Sequence, residues 1–170
     1  MQLTLVLGGA RSGKSAYAEN LAKQSGNKVI YLATAEIRDE AIAQRVKLHQ
    51  SVRPSEWQTV NTPIELAASL KQHAAPNVTV LVDCLTMWVT NLLCAEDKSL
   101  MAAEKSALLA VLETLPGNII FVSNEVGMGI IPMGELTRDY VDIAGKLHQE
   151  VAAVANNAVL IVAGLPLVLK

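Results

Sequence analysis

Short apolar runs alternate along the chain with longer stretches in which apolar residues return every three or four positions. Leu3–Leu7, Val29–Ala33, Val78–Val82, Ile119–Val122 and Ala158–Ala163 are runs of the first kind. Near-continuous Val, Ile and Leu predict strands covered on both faces. Trp57–Val60 predicts a further short strand and Leu167–Leu169 an edge strand. Helical spacing runs over Ser15–Gln24, where Ala18, Leu21 and Ala22 share a face and Gly26 closes the segment. It recurs from Glu36 to about His49, and over Pro63–His73, Leu85–Leu93, Ser99–Leu115 and Leu136–Ala155. Gly127–Gly134 holds three glycines and a proline, which predicts a loop.

Strands alternating with helices require crossover connections, hence a largely parallel sheet. Ligands of such sheets bind beyond the carboxyl ends of the strands, so the residues that follow each strand are the ones to inspect. Gly8-Gly9-Ala10-Arg11-Ser12-Gly13-Lys14-Ser15 follows the first strand and matches the phosphate-binding pattern G-x-x-x-x-G-K-[ST]. Its glycines let successive backbone N–H groups turn toward an anion, and the next helix directs its positive end at the same point. Lys14 is placed to reach the β and γ phosphates, and the Ser15 hydroxyl to ligate Mg²⁺. Asp83, at the end of Val78–Val82, is placed to join the Mg²⁺ shell close to Ser15 across the sheet, or else to cap the next helix. The expectation is one P-loop NTPase-like α/β domain over residues 1–170. It has a mostly parallel central sheet with helices on both faces.

Composition narrows the class. Hydrophobic residues make up 51% and charged residues 18%, which excludes a disordered chain. The net charge of −2 and the 4% aromatic content offer neither a basic footprint nor a stacking platform for nucleic acid. The longest apolar run, Ala158–Leu169, is interrupted by Gly and Pro and is too short to span a bilayer. The start of the chain carries no basic region or cleavage site, so a cytoplasmic protein is expected. Cys84 and Cys94 lack metal-ligand spacing and are expected to be small buried hydrophobes.

A second centre is suggested around His49. Arg45 and His49 are four apart on one helix face, with Arg53-Pro54 and Trp57 close behind. A neutral imidazole beside arginines can attack phosphorus, although a histidine on a charged helix is also ordinary surface. His73 reads as a surface residue or a partner of a helix C-terminus, and His148 as structural or interfacial. Glu125, just after the strand Ile119–Val122, is a candidate base or metal-shell member, or else a solvated turn acid.

These motifs together resemble the bifunctional adenosylcobinamide kinase / adenosylcobinamide-phosphate guanylyltransferase family of cobalamin biosynthesis. The resemblance covers essentially the whole chain. It rests on Gly8–Ser15, Tyr31–Ala35, Arg45–His49, Arg53-Pro54 with Trp57 and Thr59, and Asp83-Cys84-Leu85-Thr86 with Trp88 and Asn91. It continues through Ser123–Gly127, Gly129, Pro132, Arg138, Gly145 and Ala163–Leu167. The resemblance implies phosphorylation of adenosylcobinamide by ATP or GTP. It then implies transfer of GMP from GTP to that phosphate through a GMP-histidine intermediate at His49. It further implies nucleotide contacts at the P-loop, Ala33, Thr34, Ala35, Gln50, Ser51, Val52, Arg53, Asn61 and Asp83, and a homotrimer. The chain departs from the family pattern at Gln50, where Arg is usual, at Asn61, where Glu is usual, and at Asn157, where Asp is usual. Two rival readings remain open at this level: a small-molecule kinase without nucleotidyl transfer, and a nucleotide-dependent switch.

Overall fold

The computed structural model describes residues 2–37, 39–40, 43–44, 46–47 and 53–170. Its elements run β1 Gln2–Gly8, α1 Lys14–Gln24, β2 Lys28–Ala33, β3 Gln58–Asn61, α2 Leu66–His73 and β4 Val78–Asp83. They continue with α3 Leu85–Leu93, α4 Ser99–Leu112, β5 Asn118–Asn124, α5 Glu135–Val154, β6 Asn157–Val162 and β7 Leu165–Val168. The strands form one sheet in the order β3-β2-β4-β5-β1-β6-β7. All pairings are parallel except β6 with β7. The turn Ala163-Gly164 makes that last pair a hairpin, with both residues at positive φ.

Successive side chains of a strand point to opposite faces, and the core divides accordingly. Leu3, Leu5, Ile30, Leu32, Val80, Val82, Ile119 and Phe121 pack under α2 to α5. Val6, Val29, Tyr31, Leu81, Ile120, Val122, Val159 and Ile161 face α1 and Trp57. Strands that are apolar on both faces therefore serve two cores. Trp88 of α3 is fully buried, and its indole N–H donates to the Ile64 carbonyl at 2.6 Å, so the one polar atom of the ring is satisfied.

Several boundaries differ from the sequence expectation. The helix after Pro63 begins only at Leu66, and the one ending before Pro116 stops at Leu112. The segment beyond it turns, with Thr114 donating from both N–H and hydroxyl to the Val111 carbonyl. The edge strand begins earlier than expected, at Leu165, because the hairpin sets its register. Cys94 is exposed at the end of α3, not buried as expected, while Cys84 is half-buried. Of the expected helix from Glu36 to His49, Glu40, Ala43, Gln44, Val46 and Lys47 are helical, while residues 38, 41, 42, 45, 48 and 49 lie outside the described residues.

Candidate active site

The carboxyl ends of β1, β4 and β5 converge, as the pattern of polar residues after each strand predicts. The loop Gly8–Ser12 leaves β1 and enters α1 through Gly13, whose φ of 97° is a left-handed conformation that a side chain would strain. The Ser12 N–H donates to the Gly9 carbonyl at 3.2 Å, and the Ser12 carbonyl accepts from Gly164 N–H at 2.8 Å. The β6–β7 hairpin thus braces the loop from outside. The Ser12 hydroxyl is buried without a hydrogen-bond partner. Lys14 folds back over the loop, its ammonium donating to the Gly9 carbonyl at 3.1 Å. Burial holds that ammonium below the ordinary lysine range, while Cys84 and Asp83 nearby work in the opposite direction.

Asp83 does not adjoin the P-loop strand. β5 lies between β4 and β1, so Asp83 reaches the site from two strands away. One of its oxygens accepts from the Tyr31 hydroxyl at 2.8 Å. Burial, then the charge of Asp83, pushes the Tyr31 hydroxyl well above the usual tyrosine range, so it remains a donor. The Arg53 guanidinium lies 3.3 Å from the centroid of the Tyr31 ring and donates to the Thr59 hydroxyl at 2.8 Å. A continuous chain of contacts therefore links Asp83 to the segment that follows His49. Tyr31 was not among the residues singled out for the site. Its signal in the sequence is a tyrosine inside a buried strand, whose hydroxyl needs a partner.

The residues expected to contact nucleotide do not share one environment. Gly8, Gly9, Ala10, Arg11, Ser12, Gly13, Lys14 and Ser15 line the loop, and Ala33, Ala35, Asn61 and Asp83 lie at neighbouring strand ends. Thr34 is fully buried. Its hydroxyl donates to the Cys84 carbonyl at 2.7 Å and accepts from the Cys84 N–H at 2.8 Å, so the side chain clamps β2 to β4. Asn91 extends the clamp, donating to the carbonyls of Thr34 and Pro63 at 2.8 and 3.0 Å. His49, Gln50, Ser51, Val52 and Arg45 lie outside the described residues.

After β5, the Glu125 N–H donates to the Gly8 carbonyl at 3.0 Å. One Glu125 carboxylate oxygen accepts from Gly127 N–H at 2.5 Å, and the other lies 3.9 Å from Nδ1 of His148. His148 is buried on α5, with Nε2 2.7 Å from the Ser123 hydroxyl. The loop beyond Glu125 is apolar and exposed, with Ile130 and Met133 each 97% accessible. Arg138 ties its far end, donating to the carbonyls of Pro132 and Met133.

Comparison with known proteins bears on the family and the fold. A family model described as cobinamide kinase / cobinamide phosphate guanyltransferase matches residues 4–169. The bifunctional adenosylcobalamin biosynthesis protein CobP of Pseudomonas aeruginosa is 50% identical over 166 residues, 98% of this chain and 96% of that protein. The corresponding CobU protein of Escherichia coli is 39% identical over 181 residues, 99% of each chain. Among solved structures, the RadB recombinase superposes with a TM-score of 0.51 at 20% identity, over 94% of this chain and 73% of that one. The type III secretion ATPase EscN superposes with a TM-score of 0.54 at 16% identity, over 94% and 41%. At that level of identity these structures speak for the fold alone.

Proposed function

The chain belongs to the cobinamide kinase / cobinamide phosphate guanyltransferase family, and on that premise we propose how its residues divide two reactions between them. In the first, the aminopropanol hydroxyl of adenosylcobinamide attacks the γ-phosphorus of ATP or GTP. The new O–P bond forms as the bond to the β-phosphate oxygen breaks. In the second, a His49 nitrogen attacks the α-phosphorus of GTP and pyrophosphate leaves. The phosphate oxygen of adenosylcobinamide phosphate then displaces the imidazole, giving adenosyl-GDP-cobinamide. Two steps suit the electrostatics, because an anionic acceptor approaches an anionic α-phosphate poorly, whereas a neutral imidazole does not. The observation that carries the reading is the P-loop, with Lys14 folded over it and Asp83, across β5, acting on the lysine's charge, in a chain that spans nearly the whole length of bifunctional relatives.

Lys14 and the loop N–H groups hold the phosphates. Arg53, stacked on Tyr31, is placed to meet charge at the α-phosphate. Ala33, Ala35, Gln50, Ser51, Val52 and Asn61 complete the nucleotide surface, and Thr34 supports it from behind. Mg²⁺ fits the donor set. Ser15 and Asp83 offer hard oxygen ligands, and no cluster of three or more His, Cys, Asp or Glu forms a protein-only cage among the described residues. When bound, the ion neutralises phosphate charge. The exposed loop of Met128, Ile130, Ile131 and Met133 is assigned to the corrinoid, whose large apolar face needs such a surface. A homotrimer in the cytoplasm is the assembly and location we assign. No described helix is long and apolar enough to cross a membrane, and the net charge of −2 favours small-molecule substrates over nucleic acid.

The test is label retention on protein incubated with Mg²⁺ and GTP labelled at the α or the γ phosphate, without corrinoid. Acid-labile, base-stable α label on wild type, lost in His49→Ala, is the expected result. Folded, GTP-binding wild type that retains no α label would leave a kinase only.

A further inference from the structure

Ser123, His148 and Glu125 stand in the order of a hydroxyl, an imidazole and a carboxylate, with Nε2 2.7 Å from the hydroxyl and Nδ1 3.9 Å from the carboxylate. That order suggests a nucleophilic serine, but Ser123 is 1% exposed within β5, with β1 and β4 on either side. No substrate reaches it. The accessible member of the group is Glu125, whose side chain is 20% exposed.

We propose that Glu125 is the catalytic base of the kinase reaction, taking the proton of the acceptor hydroxyl, and that His148 is its positioning residue. The proposal rests on the kinase half of the reading above. Glu125 is the first residue beyond β5, the strand between the one that feeds the P-loop and the one that ends at Asp83. Its N–H is bonded to the first residue of the phosphate loop, so its main chain is fixed relative to that loop. The residue directly after Asp83, where a second carboxylate would also face the phosphates, is Cys84. The His148 ring is anchored by Ser123, and its Nδ1 is buried with no hydrogen-bond partner. With the Ser123 hydroxyl donating to Nε2, the ring proton sits on Nδ1, 3.9 Å from the Glu125 carboxylate. Burial lowers the pKa of the imidazole, against the pull of the Glu125 carboxylate. The separation is 3.9 Å, and contacts of this kind are often long in the free enzyme and tighten only when substrate is bound.

The chemistry sets the two reactions apart. In the first, the hydroxyl oxygen bonds to the γ-phosphorus, the electron pair of the broken bond leaves with the nucleoside diphosphate, and the hydroxyl proton passes to Glu125. In the second, the acceptor is a phosphate oxygen with no proton to give up, so no base is needed there.

The experiment measures both reactions separately on the full-length protein: γ-phosphate transfer to adenosylcobinamide, and GMP transfer from GTP to preformed adenosylcobinamide phosphate. Glu125→Gln is expected to lower kcat of the first by about 10²- to 10³-fold, with KM for nucleotide changed less than about 3-fold and GMP transfer kept within about 3-fold. Glu125→Asp is expected to recover part of the loss. His148→Gln, which still reaches Ser123 but lacks Nδ1, is expected to lower the first reaction about 10-fold and to add nothing to Glu125→Gln. Kinase turnover of Glu125→Gln within about 3-fold of wild type would overturn the proposal. So would parallel loss of both reactions with weakened nucleotide binding, which would mean a distorted P-loop. If Glu125→Gln does not fold, the same asymmetry is read from Glu125→Asp and His148→Gln. A wild type that never phosphorylates adenosylcobinamide would instead strike at the family reading, and is scored on wild type alone.

Discussion

At the scale of single residues, the site is held by polar groups whose partners come from distant parts of the chain. Tyr31 donates to Asp83 and carries Arg53 on its ring, so Tyr31→Phe removes one hydrogen bond to a charged group and leaves the stack. A loss of about 1.5–3 kcal/mol in urea unfolding is expected, together with weaker Mg²⁺-dependent nucleotide binding by calorimetry. His148 makes a prediction in pH. Burial lowers its folded-state pKa below the unfolded value, so the unfolded chain binds the proton more readily. Its contribution is therefore neutral above about pH 6.5. It becomes increasingly destabilising as pH falls from there toward the folded pKa. Unfolding curves at pH 8 and pH 5.5 should show a smaller pH-dependent loss for His148→Gln than for wild type. The P-loop residues and Asp83 were legible because a phosphate cradle needs a fixed local spacing. Tyr31, the Thr34 clamp and the His148 contact were not, because each partner is far away in sequence and only the sheet order brings it near.

At the scale of elements, type was easier to read than extent. Each apolar run became a strand within a residue or two, since burial on both faces needs that composition. Helix ends moved because they depend on neighbours: α2 waits until Leu66, whose side chain is fully buried, and the chain after α4 turns to enter β5 through Gly117. Gly117 has φ 75°, and a Cβ there would lie 2.1 Å from the Ala75 carbonyl oxygen. Gly117→Ala should therefore cost at least about 2 kcal/mol in urea unfolding, with kcat at a permissive temperature little changed. Trp88→Ala, which empties the largest fully buried side chain of α3, should cost about 3–5 kcal/mol by the same measurement.

At the scale of the whole molecule, most of the exposed large apolar residues among those described fall on two surfaces, the loop of Met128, Ile130, Ile131 and Met133 and the edge strand with Leu165, Leu167 and Val168. Assigned to the corrinoid, the first predicts that Ile130→Ser with Ile131→Ser raises KM for adenosylcobinamide about 10-fold or more. The unfolding midpoint should be unchanged, since neither side chain is packed. Sedimentation equilibrium decides the trimer, with three times the chain mass as the expected species. The sequence by itself determined the fold class, the phosphate loop and the family. Those depend on short-range spacing and on the ordered set of motifs, which any fold of this chain must satisfy. Only the tertiary structure decided that β5 separates Asp83 from the P-loop, that Thr34 is a clamp, and that Ser123 is sealed while Glu125 is open. Strand order, burial and close approach between distant segments arise from packing two cores against one sheet, and no local pattern encodes them.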